Sequence, residues 1–136
     1  MKILQFGFNS DMQNIYLPQN YPYNCVCYTG THDNDTLMGW HDNTASDSDK
    51  AHAWSYCHIS PEEGFNWGII RTAYESKANY AIIQIQDILG LGSEARINTP
   101  STLGGNWEWR IDSSALTAEL AAKLKDLATR TGRMED

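Results

Sequence analysis

An α/β fold with parallel strands is predicted by three features of this 136-residue sequence. Strand-like apolar segments alternate with polar loops and helix-patterned stretches, the order that builds βα units. The segment 80–86 is apolar nearly throughout, as in a strand of a parallel sheet covered on both faces. The most unusual polar window, Thr31-His32-Asp33-Asn34-Asp35, follows directly on a strand, where parallel folds assemble their sites. Three strands are nevertheless few for a domain, and the outer two are left with bare edges. A closed barrel of βα units takes about 250 residues. The pattern is that of a piece of a larger fold, or of a chain that needs a partner.

Each element follows from local chemistry. Ile3-Leu4-Gln5-Phe6-Gly7-Phe8 is a short buried strand, ended by the turn formers Asn9-Ser10-Asp11. A polar loop with Pro18 and Pro22 leads to a second strand over 24–29. The Asp-, Ser- and Asn-rich stretch 42–50 is a loop or the start of a helix over 46–57. A second helix spans about 64–78, where Phe65, Ile69, Ala73 and Ile70, Tyr74 form adjacent stripes, and Arg71 can pair with Glu75. The third strand, 80–86, is followed by an irregular stretch with Pro100, Gly104 and Gly105. The last helix has Thr117 as N-cap, a Leu120, Leu124, Leu127 stripe, and Gly132 where a C′ glycine belongs.

Composition excludes several classes. Ten basic against seventeen acidic residues give a net charge of −7, which opposes a nucleic-acid partner and an anionic membrane surface. The apolar run through Ile82-Ile83 is interrupted by Gln84 and no apolar run exceeds four residues, so nothing here spans a bilayer. The opening residues turn polar too early for a signal peptide. Three cysteines, with Cys25 and Cys27 on one face of a strand, imply no disulfide framework and fit a reducing, cytoplasmic setting.

Among the chemical candidates, the 31–35 cluster carries a carboxylate beside an imidazole. That pair can stabilise positive charge or act as acid or base; the same residues also make an ordinary helix-capping turn. Asp33 and Asp35 imitate the start of a calcium loop, but Leu37, Met38 and Thr44 stand where that loop needs an oxygen ligand, Gly and Glu. His32, His41, His52 and His58 lack zinc-site spacing. Gly90-Leu91-Gly92-Ser93-Glu94-Ala95 fits a dinucleotide fingerprint, yet Pro100 and Gly104-Gly105 break the long helix such a site needs. Glu94, Arg96 and Asn98 alternate through the same loop and can either hold sugar hydroxyls or form a salt-bridged loop. Trp107 and Trp109 can stack on sugar rings or pack in a core.

Several segments together resemble one family. Tyr28-Thr29-Gly30-Thr31-His32-Asp33-Asn34-Asp35-Thr36 with Gly39-Trp40, the run 86–100 (Gln86 to Pro100), and Gly104-Gly105-Asn106-Trp107-Glu108-Trp109-Arg110 are similar to the signatures of 4-α-glucanotransferases (amylomaltases, disproportionating enzymes). Asn20-Tyr21-Pro22 and Met1-Lys2-Ile3-Leu4-Gln5-Phe6 also fit, so the resemblance runs through essentially the whole chain. Gln19, Gln84 and Ser101 depart from the residues common there.

The resemblance implies a (β/α)₈ TIM barrel, of which residues 1–136 would be the C-terminal portion, about strands six to eight with their helices. It implies a retaining double displacement that moves 1,4-α-glucan segments between malto-oligosaccharides with neither metal nor nucleotide cofactor. Asp33 matches the third catalytic carboxylate, which supports the sugar ring in the transition state. His32 matches its neighbour on the same sugar, Asn98 a substrate-contacting asparagine, and Glu94 and Arg96 further candidates of that loop. The nucleophilic Asp and the acid/base Glu would lie on strands that these residues do not include. By itself the chain is then expected to be inactive and to need the missing N-terminal part of the barrel. The alternatives are a non-catalytic glucan-binding module and one half of a split barrel.

Overall fold

The computed structural model describes residues 1–134. Three short parallel strands, β1 (Lys2–Ile3), β2 (Val26–Tyr28) and β3 (Tyr80–Ile82), lie side by side in that order. Lys2 pairs with Cys27 and Cys27 with Ala81, while Ile3 pairs with Tyr28 and Tyr28 with Ile82. Because side chains alternate along a strand, Cys27 and Ala81 share one face, Tyr28 and Ile82 the other. The Cys27 face is covered: Cys27 is fully buried in a core with Leu4, Leu17, Ile69, Ile70 and Ala73. The opposite face is open, with Tyr80 63% and Ile82 50% exposed.

The helices pack on the Cys27 side. A single turn, α1 (Leu37–Gly39), continues into a π-helical turn over Trp40–Thr44. Helix α2 (Asp47–Tyr56) starts where the Ser46 hydroxyl accepts the Asp49 N–H, with Asp47 and Asp49 placed well for the positive helix end. Helix α3 (Phe65–Glu75) buries Phe65, Ile69, Ile70 and Ala73, the stripe predicted by its periodicity. On its outer side Arg71 meets Glu75 at 3.2 Å, but its stronger partner is Glu63, held by two bonds of 2.7 and 3.0 Å. A short α4 (Ile85–Ile88) follows β3.

The last helix, α5 (Ala118–Arg130), has the predicted caps. Thr117 Oγ1 accepts the Leu120 N–H at 3.2 Å, and Gly132 takes a left-handed φ of 70° that favours glycine. Its Leu127 is buried against the core. Two cations pin this end of the chain to α3. Lys123 sits 3.9 Å above the Trp67 ring. Beyond the helix, Arg133 donates to the carbonyls of Tyr74 (2.7 Å) and Ser76 (2.8 Å), which α3 leaves without helical partners.

Two strand expectations are corrected. The first strand is not 3–8: it ends after Ile3, and Leu4–Phe6 form a 3₁₀ turn. The reason is that the backbone groups find closer partners, with the Gly7 N–H on Leu4 O and Asn14 Nδ2 on Phe6 O. The third strand is not 80–86 either. Its latter half turns into α4, where the Ile88 N–H bonds back to Gln84 O and Asp87 is drawn into the interior. Nor is β3 covered on both faces by the described residues; its apolar sequence fits a cover that they do not supply. Helix bounds differ from expectation only at the ends, α3 stopping at Glu75 because Ser76 turns its hydroxyl onto Ala73 O.

Replacing Arg133 by Ala should lower unfolding stability by about 1–3 kcal/mol, since two charged hydrogen bonds to orphan carbonyls are lost. The denaturant midpoint of the protein reads this, and an unchanged midpoint would remove Arg133 from that role.

Candidate active site

The site forms where β2 and β3 end. Thr29 and Gly30 leave β2, and residues 31–36 make a tight polar loop before α1. Asn34 ties the loop to itself, its Oδ1 accepting the Thr31 N–H at 2.8 Å and the Thr31 hydroxyl at 2.9 Å. That turn pushes His32 and Asp33 outward, where their side chains are 53% and 50% exposed.

Asp33 has one occupied and one free carboxylate oxygen among the described residues. Oδ1 accepts from Asn98 Nδ2 at 2.8 Å and lies 3.3 Å from His32 Nε2. Arg96 braces this pair from behind: Nη2 donates to the Asp33 carbonyl and Nε to the Asn98 carbonyl, each at 2.8 Å. One planar guanidinium therefore fixes the backbones on both sides of the Asp33–Asn98 contact. Glu94 has a different place. Its carboxylate accepts the N–H of Gly92 within its own loop at 3.0 Å and makes no hydrogen bond to His32 or Asp33. His32, Asp33, Asn98 and Arg96 are thus brought together; Glu94 stays in the adjoining loop.

Beneath the loop are residues that sequence patterns did not single out. Asp87 is fully buried. Its carboxylate accepts the Thr29 hydroxyl at 2.7 Å and the Leu37 N–H at 2.8 Å. Thr29 precedes the loop and Leu37 follows it, so one carboxylate holds both ends. Burial pushes the Asp87 carboxyl above the ordinary Asp range, opposed by the bonds from Leu37, Thr29 and Gln84, with the negative charge of Asp35 adding to the rise. The only sequence hint is an acidic residue embedded in the apolar run that follows a strand.

A second clamp joins this loop to the next. Asp35 Oδ2 accepts the Ser93 hydroxyl at 2.8 Å, and Ser93 Oγ accepts from Asn43 at 2.9 Å. Gln5, just after β1, donates to the Asp35 carbonyl at 2.8 Å. Gly39 makes the arrangement possible: a Cβ there would collide with Asp35 and Ser93. The dinucleotide alternative fails here as well, because the glycine pair opens a single 3₁₀ turn, Ser93–Ala95, and no long helix. A cavity of about 500 Å³ opens above the strand ends, lined by Tyr28, Thr31, His32, Asp33, Ile82 and Gln86. Among the described residues no three His, Cys, Asp or Glu side chains converge as a metal site.

These features define an α/β chain that builds its polar site at the carboxyl ends of parallel strands, around one exposed carboxylate. The family model described as 4-alpha-glucanotransferase matches residues 1–117, and the chain belongs to that family. It is 53% identical over 135 residues to the 4-alpha-glucanotransferase of Clostridium butyricum, covering 99% of this chain and 28% of that protein. It is 48% identical over 138 residues to the chloroplastic/amyloplastic 4-alpha-glucanotransferase of Solanum tuberosum, covering 98% and 24% respectively. The amylomaltase of Streptococcus agalactiae, solved in complex with acarbose, superposes with a TM-score of 0.93 at 38% identity, over 99% of this chain and 27% of that one. The chain thus spans about a quarter of the length of the relatives it matches.

Asp87→Asn should cost about 1–3 kcal/mol at pH 7, because an amide offers a single acceptor oxygen to two donors. The cost should also depend on pH. A carboxyl raised by folding keeps its proton in the native state while the unfolded chain has lost it, so wild-type stability falls as pH rises through that window. Denaturant titrations should therefore show a larger wild-type advantage near pH 4 than at pH 7. A gap that is flat with pH would show that Asp87 does not carry that linkage.

Proposed function

We propose that residues 1–136 are the C-terminal portion of the catalytic (β/α)₈ barrel of a 4-alpha-glucanotransferase, contributing about strands six to eight. The full enzyme transfers 1,4-α-glucan segments between malto-oligosaccharides by a retaining double displacement. The observation that carries this reading is the Asp33–Asn98 hydrogen bond of 2.8 Å at the mouth of the strand-end cavity, with Asp33 Oδ2 left open.

Each residue then has a part. Asn98 and Arg96 hold Asp33 in one orientation, so its free oxygen meets sugar hydroxyls without reorganising. A fixed anion beside the sugar ring is most favourable as positive charge develops in the oxocarbenium-like transition state. His32 orients the same sugar through its ring nitrogens. Arg96 acts through the backbone carbonyls, and Glu94 shapes the neighbouring loop by holding the Gly92 N–H with Oε1. A sugar ligand also agrees with the acarbose complex of the Streptococcus agalactiae amylomaltase. The chemistry asks for no metal and no cofactor.

The nucleophile and the proton donor belong to earlier strands of that barrel, so these residues by themselves are inactive. The open Tyr28–Ile82 face of the sheet supports the need for those strands. The net charge of −7 speaks against a nucleic-acid or anionic membrane partner. No helix of the described residues is long and apolar enough to cross a membrane. The free thiols of Cys25, Cys27 and Cys57 agree with a cytoplasmic setting.

In the full-length protein, Asp33→Asn should lower kcat by about 10²–10³-fold while leaving the thermal midpoint in place. Near-normal turnover of the variant would remove Asp33 from the catalytic set. The purified 136-residue chain should yield no disproportionation products from maltotriose, and should bind an apolar dye that the missing N-terminal part displaces. Product formation by the short chain would overturn the division of the catalytic residues.

A further inference from the structure

Trp107 has no part in the roles above, yet its placement is unusual. Its indole is 63% exposed. The ring centre lies 5.2 Å from that of His32, with the planes inclined by 38°. His32 in turn touches Asp33 Oδ1 at 3.3 Å, so the imidazole stands between the carboxylate and the indole. The backbone of Trp107 has a φ of 63°, a region that bulky residues rarely occupy and that gathers at ligand-binding loops. The loop maintains this conformation with specific bonds. The Trp107 N–H donates to Ile97 O at 2.7 Å, next to Asn98. Asn106 accepts the Thr99 N–H at 2.8 Å and donates to the Thr102 hydroxyl at 3.0 Å. A tryptophan serving only as core filling would be turned inward; this one is fastened with its ring outward, at the edge of the site.

We propose that Trp107 is a stacking platform for one glucosyl unit of the bound glucan, next to the unit whose hydroxyls meet Asp33 and Asn98. This rests on the glucan reading of the site. A glucose ring carries C–H groups on its faces and hydroxyls around its rim. A flat indole takes such a face, while a carboxylate and an amide take the rim, and His32 joins the two surfaces. The strained loop holds the indole in place before the glucan arrives, so little side-chain freedom is lost on binding.

The test uses the full-length protein carrying this segment, with maltotriose disproportionation, calorimetric titration of maltoheptaose, and thermal midpoints for wild type, Trp107→Ala and Trp107→Phe. Trp107→Ala should raise KM for maltotriose and Kd for maltoheptaose by about 3- to 10-fold, with kcat and the midpoint little changed. Trp107→Phe should recover most of that loss. Unchanged KM and Kd in Trp107→Ala would overturn the proposal, as would a lowered midpoint without loss of affinity. If the wild type binds maltoheptaose through Trp107 but transfers no glucan, the transferase reading fails and the platform stands. If it neither transfers nor binds, both fall.

Discussion

The buried carboxylate of Asp87 is the constraint on which the site geometry depends. It accepts from Thr29 at the end of β2 and from Leu37 at the start of α1, so the intervening loop is held at both ends from below. Asp87 itself sits on the short helix that follows β3. A single side chain therefore joins the two strand ends that supply the polar site. Placing a carboxylate in the interior is unfavourable unless its oxygens are satisfied, and here the two short hydrogen bonds offset much of that cost. The position of the exposed Asp33 is thus set by a second, hidden aspartate.

Above that anchor, the loops are tied to one another as well as to the sheet. Asp35 reaches Ser93, Ser93 accepts from Asn43, and Arg96 bridges the carbonyls of Asp33 and Asn98. These contacts join parts of the chain far apart in sequence, with Asp33 and Asn98 separated by 65 positions. The result is a rigid polar floor with one carboxylate oxygen directed outward. On the proposed glucanotransferase reading, that rigidity would serve the electrostatic stabilisation, which works best when the charge is oriented before the reaction begins. The same logic extends to the rim, where Trp107 is held outward beside His32.

The two faces of the sheet have different fates. Cys27 disappears into a core built by α3, α5 and the first loop, whereas Tyr80 and Ile82 remain open on the other side. An apolar strand side chain in water gains nothing, so this face fits a cover that the described residues do not supply. The chain spans about a quarter of its relatives, in keeping with that asymmetry.

Local chemistry determined a good part of this protein. The cap at Thr117, the Phe65–Ile69–Ala73 stripe, the Gly132 terminus and the α/β order were all legible, because each depends on neighbours within a few residues. The His32–Asp33 cluster was visible as polar residues after a strand, and its kinship was legible from long motifs. Strand length was not: residues 4–8 and 83–86 are apolar enough for strands, but side chains from distant loops and the burial of Asp87 bend them into turns. The division of labour within the 90s loop was equally hidden. Arg96, Asn98 and Glu94 look alike as polar residues in alternation, and only the fold turns Arg96 onto two carbonyls, Asn98 onto Asp33 and Glu94 back onto Gly92. Those choices belong to tertiary structure because each is a hydrogen bond whose partner is set by how the chain crosses itself, which no local pattern encodes.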